Sequence, residues 1–250
     1  MHDRQTCDMP PGAIGRWQVQ QGGPLVGYFQ PVEIKAPRGA LISLAHEGFF
    51  DRGEPSPRGA RMLVGNVYRF QVTNIPGQPG AELFPTIEVI DRTYPPSHQA
   101  PAFPVEVAIT QEDLVLALQG RLVTRVVYLE DPHRALPTRQ PAGQQEWFEA
   151  GEGEDPLDVA RTMGRPMAIL RIGGRVPGQS GPTPQFMYGS PPWIPFEIQQ
   201  RPAELRGPVP ARPMPEGAAP EEAAEEQPMQ EARNSQLPSA AHWSNNPPAR

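Results

Sequence analysis

The chain has 250 residues, a formal net charge of −6 and a pI near 5.4, which excludes a nucleic-acid surface because neutralising phosphates takes clustered Lys and Arg. Its single cysteine, Cys7, excludes an intrachain disulfide and a thiolate metal cluster, so stability rests on packing. The 35 prolines and 24 glycines sit between short apolar runs as far as Phe196, where the runs stop. That pattern predicts an irregular lead over 1–22, one folded domain over 23–196 and a disordered Pro/Glu/Ala-rich tail over 197–250, whose apolar content is too thin to offset ordering entropy of roughly 1–2 kcal/mol per residue. No apolar run approaches the roughly 18–20 residues that span a bilayer, so no transmembrane segment is expected.

In chain order, Trp17 and Val19 read as the start of a first strand after the lead. LVGYFQPVEI (25–34) mixes aromatic and β-branched residues, and Pro31 places it at an edge or bulge. A short strand fits 40–45, and Gly48 to Arg61 reads as a solvent loop around Glu54-Pro55-Ser56-Pro57. The clearest strand signal begins at Met62: Tyr68, Phe70 and Val72 alternate with Arg69 and Gln71, which sets an aromatic stripe on one face. Residues 83–91 pair with it across the Pro76–Gly80 loop, and FPVEVAI (103–109) alternates as cleanly.

Two short helices follow from cap chemistry. Thr110 precedes Gln111-Glu112-Asp113 as a capping box, with Gly120 as the stop. Asp155 precedes Pro156 in the position proline favours, and Gly164 follows the last turn. Between them LVTRVVYL (122–129) is apolar on both faces and reads as a central strand. Residues 167–176 and Trp193–Phe196 complete about eight strands, which predicts a mainly β fold: a two-sheet antiparallel sandwich, Ig-like, or a partly open barrel with two short helices.

The chemistry-bearing residues are sparse. Glu88 with Asp91, and Glu130 with Asp131, stand at strand ends, and glycoside hydrolysis needs two carboxyls about 5–10 Å apart. Acidic residues there also form turns, and Asp131-Pro132 has that form. Gly-x-Ser-x-Gly is absent, Gly178-Gln179-Ser180-Gly181 reads as a turn, and Cys7 has no neighbouring base, so no catalytic residue is expected. The histidines His2, His46, His98, His133 and His242 have no metal-ligand spacing, and neither metal nor cofactor is expected. A binding surface is legible in Tyr94-Pro95-Pro96 and in Tyr188 to Trp193, where Tyr94, Tyr188 and Trp193 offer rigid contact area to a protein or glycan partner. Those same residues suit locking of loops. Arg121 and Arg125 fit pairing with nearby acids, and Trp243 stands out in the tail as an anchor for a partner.

LVGNVYRFQVTNIP, LFPTIEVIDRTYPP, FPVEVAITQEDLVLALQGRLVTRVVYLEDP, PMAILRIGGRVP and GSPPW together resemble a family of uncharacterised proteins from planctomycete genomes, over most of residues 24–196 and not in the tail. The resemblance implies a protein of the cell envelope or periplasm and carries no activity and no site residue. Members often have an export or lipoprotein signal. Here Met1 to Gly12 is polar with no apolar stretch. A lipid on Cys7 is expected only with an upstream signal, and a cytoplasmic protein if Met1 is the true start. The sequence thus frames three readings: a non-catalytic structural or binding module of the envelope, a carbohydrate-active hydrolase using strand-end carboxylates, and a cytoplasmic scaffold acting through its tail.

Overall fold

In the computed structural model, which describes residues 5–24, 26–96, 99–131, 133 and 149–198, the alternating runs become two facing sheets. The first joins β1 (Phe29–Lys35), β5 (Arg58–Leu63), β8 (Val105–Ala108) and β11 (Trp193–Pro195) in the order β11-β5-β1-β8. The second joins β2 (Leu41–His46), β3 (Phe49–Phe50), β6 (Val67–Thr73), β7 (Thr86–Val89), β9 (Val123–Glu130) and β10 (Gly164–Ile172) in the order β3-β2-β6-β7-β10-β9, with β4 (Glu54–Pro55) paired to β2. Among the described residues the fold is mainly β, two sheets with no closed barrel. Every pairing is antiparallel except β1 with β8, which runs parallel in register Val32↔Val105.

Period-2 alternation fills the space between the sheets. Val32, Ile34, Ala60, Met62, Val105 and Val107 from the first meet Ile42, Leu44, Tyr68, Phe70, Val72, Ile87, Val89, Leu170 and Ile172 from the second. The aromatic stripe of β6 therefore faces the core as its alternation predicts. Helix α2 (Gln111–Leu118) starts on the expected capping box, adds Leu114 and Ala117 to this core, and is pinned by Asp113, which accepts two bonds from Arg125 Nε at 2.9 and 3.0 Å. Helix α3 (Pro156–Met163) starts on Asp155, whose Oδ1 accepts from the Leu157 amide at 2.7 Å.

The outer face of the larger sheet carries a second, smaller core of Ile14, Ile90, Leu157 and Ile169, with Cys7, Met9 and Val126 packed on it. Ile14 belongs to helix α1 (Ala13–Gln20), which stands where an irregular lead and a first strand at Trp17 were expected. The helix has no side-chain cap of its own; the fully buried carboxylate of Glu88 accepts from the Gly15 amide at 2.9 Å and takes that role from the sheet. The glycine matters here, since a Cβ on Gly15 would come within 3.0 Å of Gly65 Cα in the turn that the helix crosses.

Three further expectations are corrected. The loop expected over 48–61 contains β3, β4 and the start of β5. The long signal from Met62 is a corner: β5 ends in one sheet at Leu63, Gly65 turns the chain at φ 85, and β6 begins in the other at Val67. Strand β9, expected to be central, lies at the end of its sheet with β10 as its strand partner among the described residues.

Candidate functional site

The carboxylates expected at strand ends separate by environment. Glu88 is closed off from solvent; its Oε2 accepts from Arg171 Nη1 at 2.9 Å while Oε1 holds α1, so both oxygens are committed to the fold. Asp91, just past β7, accepts from Arg165 Nη1 at 2.6 Å and from the Arg92 amide at 2.7 Å. Glu130 and Asp131 close β9. Asp131 accepts from the His133 amide at 3.0 Å, an Asx turn that matches its turn-forming sequence.

Glu130 and Asp131 also line a groove of about 450 Å³ between the end of β9, Arg161 and Thr162 at the end of α3, and Gly164 and Arg165 at the start of β10. The register Gly164↔Glu130 brings these elements together. Arg161 is held by Asp158 at 3.0 Å and by Gln5 Oε1 at 2.6 Å, which ties the lead to α3. Arg165 is the link outward: its guanidinium lies 5.0 Å from the Tyr94 ring centre. Arg92 lies 4.3 Å from the same ring and 5.0 Å from that of Tyr28, so Tyr28, Arg92, Tyr94 and Arg165 form a ladder of rings and guanidiniums. Tyr94 is 62% exposed. This end of the larger sheet, with the ladder leading to the groove, is the candidate site.

Tyr188 and Trp193 belong to a different set of contacts. Trp193 Nε1 donates to the Ala45 carbonyl at 2.8 Å, and Tyr68 Oη donates to the Pro192 carbonyl at 2.9 Å, so the segment entering β11 bridges the two sheets. Tyr188, at φ 53, lies 5.2 Å from the guanidinium of buried Arg69, which is also 4.2 Å from Phe186. Burial lowers the Arg69 pKa from its ordinary value, and Tyr188 opposes that shift. These aromatics lock the segment entering β11 to the sheets, while Tyr94 is exposed. Trp243 lies outside the described residues. Gly178 to Gly181 forms the expected turn, with the Gly181 amide donating to the Gly178 carbonyl at 2.9 Å.

Among the described residues, no group of three or more His, Cys, Asp or Glu is placed to hold a metal ion. No helix among them is long and apolar enough to cross a membrane. A second groove of about 400 Å³, between α1 and the β5–β6 corner, is lined mainly by apolar Val19, Val26, Leu63 and Val64 with Arg16.

Cys7 is half-buried, and its amide donates to Asp155 Oδ2 at 2.7 Å. Burial first, and the Asp155 carboxylate second, push its thiol up to about 12 from 9.0. A neutral thiol is a poor nucleophile, so iodoacetamide at pH 8 is expected to label the folded protein slowly and the urea-unfolded chain fast, read by intact mass. Equal rates would contradict the packing of the lead. Because the folded pKa is raised, the thiol's contribution to stability is intact below pH 9 and is lost as the pH climbs from there towards about 12.

Which residues of the site the sequence missed is clear from their separation. Arg92 stands two residues before Tyr94 and was available locally. Arg165 is 74 positions from Asp91 and reaches it only through the β7–β10 pairing. Comparison with protein-family models, curated proteins and solved structures finds no match to this chain.

Proposed function

We propose that the protein is a non-catalytic binding module of the cell envelope, and that it engages its partner through Tyr94 and the groove beside it. The observation that carries this reading is the exposed Tyr94 ring, held in place by Arg92 and Arg165 rather than packed into the core. An aromatic ring fixed in that way loses little freedom on binding, which is the main advantage of a preformed contact surface. The hydroxyl-binding chemistry of the adjoining groove, two carboxylates and two guanidiniums, suits a glycan. Placement in the envelope rests on the planctomycete resemblance.

The hydrolytic reading has less support. Of the carboxylates it invoked, Glu88 is spent on Arg171 and on α1, Asp91 is paired to Arg165, and Glu130 and Asp131 are chain neighbours at the end of one strand. The test combines binding and turnover on purified cell-wall polysaccharides. Tyr94→Ala is expected to reduce retention about tenfold or more, the equivalent of roughly 1.4 kcal/mol, with the melting temperature unchanged. Release of reducing ends by the wild type, abolished by Glu130→Gln with Asp131→Asn, would establish the hydrolase instead. Retention that survives Tyr94→Ala but is lost on removing residues 197–250 would favour a scaffold acting through the tail.

A further inference from the structure

We infer that the ladder selects a carboxylated sugar, with the Arg92 guanidinium receiving the carboxylate; this rests on the binding reading above and names its ligand. Arg92 differs from the other arginines of the site. Arg165 is neutralised by Asp91 and Arg161 by Asp158. Among the described residues, no acid pairs with the Arg92 guanidinium, and its Nε is buried without a hydrogen-bond partner. Its nearest acid in sequence, Asp91, is already occupied by Arg165 and by the Arg92 backbone amide. The Arg92 guanidinium lies 4.3 Å from the Tyr94 ring centre and 5.0 Å from that of Tyr28, and these two contacts restrict its position. With Nε enclosed, the fork offered to a ligand is the pair of Nη atoms, and a carboxylate is the planar anion that matches it.

The surroundings choose the carrier of that carboxylate. Glu130 and Asp131 line the groove, and Asp91 is bound to Arg165, which joins the groove to the ladder. Those acids repel a ligand with many negative charges, such as an acidic peptide, and accept hydrogen bonds from the paired hydroxyls of a sugar. A glycan with one uronic acid among neutral residues satisfies both halves of the site: the uronate at Arg92, and a neighbouring sugar over the groove.

The experiment is calorimetric titration of the full chain with three probes: glucuronosyl-xylobiose, its neutral counterpart xylotriose, and a tetraglutamate peptide. The first is expected to bind about tenfold or more tightly than the second, the equivalent of one charge-assisted pair, and the peptide not measurably. Arg92→Gln is expected to bring the first two probes level, and Arg92→Lys to restore only part of the preference, because an ammonium keeps the charge but not the fork. Melting curves of both variants separate lost binding from lost folding. Equal binding of the two sugars, unchanged in Arg92→Gln but lost in Tyr94→Ala, overturns the carboxylate inference and leaves the binding module standing. Preferential binding of tetraglutamate overturns it in favour of a protein partner. Binding of none of the three overturns the inference, and cell-wall retention with Tyr94→Ala then decides the module separately.

Discussion

Replacing Glu88 by alanine is expected to destabilise the fold by about 3–5 kcal/mol, the range for breaking a buried ion pair from one side. Glu88 is fully buried in β7, and Arg171 on β10 is 8% exposed. Without the carboxylate, the hydrogen-bond acceptor left to the Arg171 guanidinium among the described residues is the Cys7 carbonyl at 3.4 Å, and its charge remains buried with little to balance it. The loss does not end there. Gly15 sits in the first turn of α1, where backbone amides have no partner within the helix, and Gly12 before it supplies no side-chain cap. Glu88 Oε1 is the acceptor for that amide, so its removal also loosens α1 from the sheet. For a domain of this size the loss corresponds to a fall in melting temperature on the order of 10 °C. Glu88→Leu combined with Arg171→Met is expected to recover most of the stability, since it removes both charges together. Urea denaturation followed by circular dichroism measures all three proteins. An alanine variant as stable as the wild type would show that Glu88 fixes neither Arg171 nor the helix.

The same residue explains why α1 was not legible in the sequence. A helix is recognised by its cap and its apolar stripe, and here the cap lies 73 positions away on a strand. By contrast, α2 and α3 carry Thr110 and Asp155 beside their own first turns, so local reading found both. The stripe of Tyr68, Phe70 and Val72 was legible for a similar reason: period 2 reports a strand with one face on a core whatever its neighbours are.

Strand β9 departs from the central position that its apolarity predicts, because covered faces and lateral neighbours are separate things. In the fold, Val123 and Val127 pack against the main core while Val126 packs against the outer core with Leu157 of α3. Both faces are partly covered by layers above and below, although the strand stands at the end of its sheet. Two-sided apolarity therefore reports covered faces and says nothing about lateral neighbours. At the candidate site the division is alike: Tyr94 was legible as a rigid aromatic beside two prolines, but the arginines that hold it come partly from β10, through pairing that no local pattern encodes.

Gly164→Ala is expected to cost about 1–3 kcal/mol although the backbone there is extended, at φ 172, and open to any residue. The cost comes from contact. Helix α3 passes into β10 without an intervening loop, and Gly164 lies opposite Glu130 in the β9 pairing. A Cβ would overlap the Leu129 carbonyl oxygen and stand 2.9 Å from the Leu129 carbonyl carbon and 3.0 Å from Glu130 Cα. All three are backbone atoms of a paired strand, so relief requires β9 and β10 to part rather than a side chain to swing aside. The groove opens at this junction, and Arg165 is the next residue. Parting the strands shifts Arg165 from Asp91 and from Tyr94, so the substitution is expected to weaken glycan retention along with stability. Gly178→Ala is the matched control, since a Cβ there meets nothing within 4 Å, and it is expected to leave both unchanged. If the two variants melt together, the strands have room at Gly164 and the groove is not set by that approach. If Gly164→Ala alone loses both stability and binding, the helix-to-strand junction is what holds the site in shape.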